Sequence, residues 1–157
     1  MEKRRFIEYY FCDALRLAQH LAERYGGTIS EGIGDASNFP MPPKFGFKSD
    51  DVRFLRVEGK ISAEVGFISQ DVPPAEAVKH RNKSLYRVLV GEELQRMRLE
   101  KGLTLDEVAE KSGFRSHSLG RVEEGRYDFD IAQLGTILDA MGAGIKIISL
   151  DQEEGGR

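Results

Sequence analysis

The stretch Leu103–Gly125, LTLDEVAEKSGFRSHSLGRVEEG, decides the fold of the second half of this chain. Two short helical patterns flank a tight turn. Ala109 lies on the inward face of the first pattern, and Leu119 and Val122 form that of the second. Gly113 lies between them and can take the positive φ that a short turn between helices requires. The stretch therefore predicts two crossing helices that share a small apolar core.

The spacing of these residues identifies the motif. Ala109 stands four residues before Gly113, where two crossing helices come closest and a larger side chain would push them apart. Leu119 and Val122 follow Gly113 by six and nine residues. A small residue, a glycine and two aliphatic residues at these offsets are the signature of a helix-turn-helix.

The neighbouring sequence extends the motif into a family resemblance. Residues 91–142 carry, in order, a first helix ending in a basic turn and Gly-Leu, the two-helix motif ending in Glu-x-Gly, and an amphipathic helix ending in Gly. They resemble the lambda-repressor-like, Cro/XRE-type DNA-binding domain. The resemblance implies an all-α domain of five helices. It also implies an ion pair inside that domain between Arg98 and Glu123, since a partly buried carboxylate must be paired.

The composition is that of an ordinary globular protein. The chain has 157 residues, 40% apolar and 31% charged, enough for one medium domain or two small ones. No apolar run approaches the length of a membrane span, the N-terminus lacks a signal-peptide core, and the single Cys fits a reducing cytoplasm. The net charge of −3 is unusual for a nucleic-acid binder, which usually carries a basic surplus.

The N-terminal half predicts a separate α/β domain. Residues 3–25 have the pattern of an amphipathic helix that Gly26-Gly27 would end. A short strand is expected near Thr28–Ser30, and a hairpin turn at Glu58-Gly59. Three strand-like runs surround that turn: Lys44–Lys48, Asp51–Val57 and Ile61–Ser69. We expect the helix to lie across a small antiparallel meander.

Two further segments complete the predicted α+β organisation. Ala75–Leu89 is a linker helix that either continues into the DNA-binding domain or breaks near Gly91. Residues 143–150 predict a trailing strand, which would pair with the N-terminal sheet or with its mate in a dimer. The predicted domains are an α/β domain at 1–72, a linker at 73–90, the helix-turn-helix domain with its terminal strand at 91–150, and a frayed tail at 151–157.

The resemblance implies that the second helix of the motif lies in the major groove of double-stranded DNA. Carried over position by position, the residues that face base edges are Arg115, Ser116, His117 and Arg121. Arg can form two hydrogen bonds to guanine, and Ser or His can donate or accept at several bases. The residues placed to contact phosphates are Lys101, Lys111, Ser118 and Arg126.

Several positions depart from the family pattern. Leu105 stands where family members often have a Gln that contacts the DNA backbone. Ser112 occupies a position usually filled by Leu, so the core of the turn must depend on Phe114. Glu124 and Asp128 place carboxylates near the expected path of the phosphates, where each reduces the attraction. These departures leave the predicted fold standing and predict weaker DNA binding.

An enzymatic interpretation of the N-terminal half has little support. Glu58 and Lys60, with Asp35 or Asp51 upstream, superficially resemble the carboxylates and lysine of a metal-dependent nuclease. A hairpin bend accounts for the same residues. The three histidines lie on separate elements without ligand spacing. We therefore expect no enzyme activity, no catalytic residue, no metal site and no cofactor.

Two functions from different classes stay open. The first is a sequence-specific transcriptional regulator of prokaryotic, phage or plasmid origin, a homodimer on a palindromic operator. Its N-terminal domain would sense a small ligand or assist dimerisation. The second is a protein-interaction module, for example an antitoxin-like neutraliser whose N-terminal half binds a partner protein. Both are expected in the cytoplasm, away from any membrane.

Overall fold

The computed structural model describes residues 3–40, 51–68 and 78–151, which form an α+β protein. The predicted fold class is confirmed. The N-terminal elements are β1 (Lys3–Glu8), α1 (Phe11–Tyr25), β2 (Thr28–Asp35), a 3₁₀ turn (Ala36–Asn38), β3 (Asp51–Glu58) and β4 (Ser62–Phe67). The C-terminal elements are α2 (Lys83–Glu100), α3 (Leu105–Ser112), α4 (Ser116–Glu123) and α5 (Ile131–Ala140).

The sheet has the strand order β1-β4-β3-β2. Strands β2, β3 and β4 form an antiparallel meander in which β3 and β4 are two of the three expected runs, with a turn after Glu58 between them. The strand predicted near Thr28–Ser30 is confirmed and continues to Asp35. The run Lys44–Lys48 lies outside the described residues. Helix α1 packs across one face of the sheet and buries Leu17 and Leu21 against it.

The start of the chain corrects the predicted helix at residues 3–25. Residues 3–8 form β1, which pairs in parallel with β4, so the sheet is mixed rather than antiparallel. Phe6 and Glu8 point toward α1 and are buried, whereas Ile7 packs with Phe39 on the opposite face. This alternation suits a strand. The backbone groups of β1 find partners along β4, which would otherwise be an open edge.

Helix α2 joins the two halves. The linker helix predicted from Ala75 is corrected at its start, because residues 79–82 form turns and α2 begins at Lys83. Of the two alternatives for its end, continuation past Gly91 into the first helix of the helical domain is confirmed. Leu85 and Val88 are buried in the core beneath the sheet, and Leu94 is buried in the core of the helical domain. At Gly91, an added Cβ would lie only 2.3 Å from the carbonyl oxygen of Val122. Glycine therefore lets α2 cross the end of α4 in direct contact.

Two buried carboxylates hold the start of α2. Glu8 accepts a hydrogen bond from the Ser84 backbone N–H at 2.9 Å. Burial raises the pKa of Glu8 to about 7, despite that hydrogen bond. Asp13 accepts from Arg81 at 2.8 and 3.1 Å. Burial alone would raise the pKa of Asp13, but the hydrogen bonds and charge of Arg81 outweigh it and lower that pKa. Asn82 is the N-cap residue of α2, with a φ of 56°, and its side chain makes no capping hydrogen bond. The Glu8 carboxylate caps the helix instead, by accepting from the Ser84 N–H.

The C-terminal segment corrects the predicted trailing strand. Helix α5 ends where the Ala143 N–H bonds to the Leu138 carbonyl, and the segment 143–149 then has no regular secondary structure. Within residues 83–149 there are four helices, not five. A strand needs a neighbouring ladder, and no described strand pairs with this segment. Its aliphatic side chains remain exposed: Ile145, Ile147, Ile148 and Leu150.

Candidate nucleic-acid interface

Helices α3 and α4 meet around the small core that the sequence predicted. Val122 and Leu119 are buried, and Ala109 packs against them at the crossing. Gly113 ends α3 with φ 79, and its N–H donates to the Ala109 carbonyl at 2.9 Å. The left-handed conformation at Gly113 ends the helix and reverses the chain. The two helices and their turn thus have the geometry of a helix-turn-helix.

The turn itself explains the unusual Ser112. The Ser112 hydroxyl accepts a hydrogen bond from the Phe114 N–H at 3.2 Å and lies 3.5 Å from the Ala109 carbonyl oxygen. Phe114 packs against the domain core and meets Tyr127 edge-on, with ring centroids 6.1 Å apart. A hydrogen bond to Ser112 and an aromatic pair therefore stabilise the turn. Phe114 provides the apolar side chain at the core of the turn, as the sequence predicted.

Arg98 and Glu123 join α2 to α4. The guanidinium donates to both carboxylate oxygens at 2.7 and 3.0 Å, and its third nitrogen donates to the Leu103 carbonyl at 2.9 Å. The side chains are only 10% and 9% exposed. The hydrogen bonds that Arg98 donates to the Glu123 carboxylate raise the pKa of Arg98. The ion pair implied by the family resemblance is confirmed, and it fixes the angle at which α4 leaves the domain.

Three basic or polar side chains are exposed at the start and on the outer face of α4. His117 and Arg121 lie on the side opposite the buried Leu119 and Val122, and Arg115 is exposed at the N-cap, just before the helix. Among residues that the structure describes, none of these three side chains makes a hydrogen bond or ion pair. Positive and hydrogen-bonding side chains on one face of a protruding helix can contact both bases and phosphates. Ser118 lies at the side of this face and is half-buried.

Ser116 differs from its neighbours. It is half-buried at the first turn of α4, and its hydroxyl donates to the carboxylate of Asp106 on α3. This bond ties the start of α4 to the start of α3. While this bond is kept, the Ser116 hydroxyl can accept a hydrogen bond at a base edge but cannot donate one.

The candidate phosphate contacts divide into two kinds. Lys111 is exposed at the end of α3, without a partner among the described side chains. Lys101 donates to the Met141 carbonyl at 2.8 Å, so its ammonium group stabilises the end of α5. Arg126 lies 3.1 Å from Glu124 in the turn after α4. Of these three cationic side chains, Lys111 is the one that the described part of the chain leaves without a bond or ion pair.

Leu105 has a packing role. It is half-buried and packs against the core of the helical domain. Its Cδ1 lies 4.0 Å from the position that a Cβ on Gly120 would occupy, so it closes the gap between α3 and α4. The polar contact that other family members make from this position is replaced here by an apolar one.

The nuclease-like residues are not brought together. Asp35 and Asp51 are register partners at one end of the β2–β3 pair, whereas Glu58 ends β3. Seven strand steps separate Asp51 from Glu58, about 23 Å. In residues 3–40, 51–68 and 78–151, no group of three or more His, Cys, Asp and Glu side chains could hold a metal ion. In the same ranges, no helix is long and apolar enough to span a bilayer.

Known proteins resemble the helical domain. The helix-turn-helix domain family matches residues 89–145. The uncharacterized HTH-type transcriptional regulator y4dJ of Sinorhizobium fredii (strain NBRC 101917 / NGR234) is 41% identical over 56 residues, which are 36% of this chain and 73% of the relative. Among solved structures, the clp gene regulator ClgR from C. glutamicum is 34% identical with a TM-score of 0.37, over 38% of this chain and 76% of that chain. The restriction-modification controller protein C.AhdI from Aeromonas hydrophila is 25% identical with a TM-score of 0.37, over 38% of this chain and 91% of that chain. Through residues 89–145, the chain belongs to the Cro/XRE-like helix-turn-helix family.

Proposed function

We propose that this protein is a DNA-binding transcription regulator that recognises its operator with α4. The observation that carries the proposal is the start and outer face of α4, where Arg115, His117 and Arg121 are exposed and their side chains unengaged while Leu119 and Val122 anchor the helix. A relative named as a transcriptional regulator shares this domain. Exposed guanidinium groups without a carboxylate partner are available to contact the anionic groups and base edges of DNA.

The side chains take different roles in this proposal. Arg121 and His117 contact base edges in the major groove, and Arg115 lies at the entrance of the helix. Lys111 contacts a phosphate and so positions the domain without reading sequence. Ser116 maintains the α3–α4 geometry through Asp106.

Binding isotherms on a selected duplex and on a scrambled duplex test the proposal. We expect Arg121→Ala to weaken binding to the selected duplex and leave the scrambled one nearly unchanged, because only base contacts carry sequence preference. Arg16→Ala, on the exposed face of α1, is the matched control. A wild-type protein that binds neither duplex would refute the proposal and favour the protein-interaction module.

We also infer that the regulator acts as a homodimer through its C-terminal segment. One helix-turn-helix contacts a short half-site, and symmetric dimers match palindromic operators. The linker helix cannot supply the contact from Leu85 and Val88, since both are buried within the chain. The segment 144–150 instead exposes four aliphatic side chains, and Ile147 is 92% exposed. Such a run of exposed apolar groups is typical of an interaction surface.

Sedimentation at micromolar concentration tests the dimer. Ile147→Lys should yield a folded monomer with weakened binding to a palindromic operator, because the substitution puts a charge in the contact. Ile33→Lys, on the exposed edge strand β2, should leave the sedimentation mass at that of the dimer. A wild-type protein that stays monomeric with and without DNA would contradict the dimer and leave the proposed base contacts standing.

A further inference from the structure

The turn after the recognition helix α4 is less acidic than its sequence suggests. Glu124 and Asp128 were expected to repel phosphates. The Glu124 carboxylate lies 3.1 Å from Arg126 and 3.8 Å from Arg4. Asp128 is paired with Arg87 and lies 3.8 Å from Lys83. Four cations therefore lie beside these two carboxylates, and the third carboxylate of the turn, Asp130, accepts a hydrogen bond from the Gln133 N–H at the start of α5.

Most of these cations come from outside the helix-turn-helix. Arg4 belongs to β1 of the N-terminal sheet, and Lys83 and Arg87 lie on the first two turns of α2, one helical turn apart. Arg4 is held in place by the ring of Tyr25, 5.6 Å from its centroid. The N-terminal unit, defined here as residues from β1 to the first two turns of α2, thus contacts the turn that follows α4 and supplies most of the positive charge beside its carboxylates.

The same edge of the molecule carries more positive charge. Strand β1 is an outer strand of the sheet, and Lys3 and Arg5 flank Arg4 along it, with their side chains on the opposite face of the strand from that of Arg4. Lys3 and Arg5, with Arg56 of β3, lie 3.6, 3.1 and 3.2 Å from the single carboxylate of Glu64. The Glu64 side chain is only 6% exposed, whereas those of Lys3 and Arg5 are 38% and 35% exposed. The side chains of Lys3 and Arg5 are therefore partly exposed to solvent, whereas the Glu64 carboxylate is buried beneath them.

We propose that the N-terminal unit forms part of the DNA-binding surface. Lys3, Arg4 and Arg5 of β1 and Lys83 and Arg87 of α2, here named the basic strip, bind phosphates of the duplex that flanks the base pairs contacted by α4. The ion pair between Arg4 and Glu124 ties the strip to the turn after α4. This inference rests on the DNA binding proposed above and assigns a partner to the N-terminal half. The strip is a local excess of cations in a chain of net charge −3.

The salt dependence of binding to two duplexes tests the strip. The short duplex ends at the selected site, and the long one extends past it on both sides. Each phosphate contact contributes roughly 0.9 to the slope of log K against log salt. The double variant Lys3→Gln/Arg5→Gln should lower that slope by roughly two on the long duplex and leave it unchanged on the short one.

The matched control is Arg16→Gln/Arg53→Gln. It removes the same charge from exposed positions on α1 and on β3 beside the opposite edge of the sheet. This variant should not alter either slope. An equal loss in the control pair, or an unchanged slope in the strip variant on the long duplex, would overturn the proposal. If the wild type binds neither duplex, the proposed function itself fails, which is a different result.

A second experiment tests the compensation of the acidic turn. Arg87→Gln should weaken binding to both duplexes, since it exposes the charge of Asp128. Adding Asp128→Asn should restore the affinity for the short duplex, because the uncompensated carboxylate is removed. On the long duplex a loss should remain, because Arg87 no longer binds a phosphate there. Thermal unfolding of each variant checks that the fold is intact. Weakened binding to the short duplex that Asp128→Asn fails to restore would refute the compensating role of Arg87.

Discussion

Arg98 and Glu123 form a two-pronged ion pair between α2 and α4, with N–O distances of 2.7 and 3.0 Å and about nine-tenths of each side chain buried. The third nitrogen of the guanidinium satisfies the Leu103 carbonyl at the start of the turn into α3. One side chain thus connects α2, α4 and the turn before α3. Helix α4 cannot tilt without breaking these bonds.

Removing one partner of this pair should destabilise the protein strongly. Arg98→Met leaves a buried carboxylate unpaired, and we expect the free energy of unfolding to fall by about 3–5 kcal/mol. The double variant Arg98→Met/Glu123→Leu should recover most of the loss. Arg96→Gln, on the exposed side of the same helix, should change stability by no more than about 0.5 kcal/mol. Urea denaturation measures all three, and equal losses in the single and double variants would contradict the expected coupling.

Position 91, where α2 crosses the end of α4, should not tolerate a side chain. In Gly91→Ala, the new Cβ would lie 2.3 Å from the Val122 carbonyl oxygen, so the backbones must separate. We expect a loss of about 1–3 kcal/mol or more. Gly135→Ala, in the middle of α5 with nothing within 4 Å of its Cβ, should stabilise by about 0.5–1 kcal/mol. Calorimetry that finds both changes stabilising would disprove the close crossing.

The helix-turn-helix could be predicted because its determinants are local. The positive φ of Gly113, the small Ala109 and the buried Val122 follow from spacing within one short stretch. Two capping boxes, Thr104 with Glu107 and Asp130 with Gln133, mark the starts of α3 and α5. Their S/T/D-x-x-E/Q pattern is readable in the sequence and would have placed both boundaries.

The remaining features depend on residues distant in sequence. Lys3 of β1 pairs with Ser62 of β4, and no pattern in the sequence near Lys3 predicts that pairing. The apolar segment at 144–150 has strand-like composition but no described ladder to join. The ion pairs of the turn after α4 could not be predicted for the same reason. Arg4 and Arg87, which pair with Glu124 and Asp128, come from other parts of the chain.

The buried Glu8 should make stability depend on pH near neutrality. Its pKa is about 7 in the folded protein against 4.5 when exposed, so the folded state holds the proton more tightly. The resulting stability is fully present below pH 4.5 and is lost as the pH rises through 7, a change of about 3 kcal/mol. Glu8→Gln should abolish this loss and be the more stable form at pH 8. Glu110→Gln, exposed on α3, should keep the wild-type difference between pH 5 and pH 8. Parallel pH profiles for wild type and Glu8→Gln would refute the assignment.

Lys101 and Lys111 should behave differently although both were expected to contact phosphates. Lys101→Ala removes the hydrogen bond to the Met141 carbonyl and should lower the unfolding free energy by about 1 kcal/mol. Lys111→Ala should leave stability unchanged and reduce the salt slope of DNA binding by roughly one. Combined unfolding and binding measurements separate the two. A salt slope that falls for Lys101→Ala alone would reverse these roles.

Glu124 supplies a test in which affinity should rise. Its carboxylate is shared between Arg126 and Arg4 and is partly exposed. Glu124→Gln removes a negative charge near the phosphates and releases both guanidinium groups, so binding should tighten on selected and scrambled duplexes alike. Sequence preference should not change, because no base contact is altered. Glu31→Gln, which removes an exposed carboxylate paired with Arg53 on the sheet, is the control and should leave affinity unchanged. Gained affinity cannot arise from unfolding. Should Glu124→Gln weaken binding instead, the carboxylate must be positioning its two arginines for the phosphates rather than opposing them.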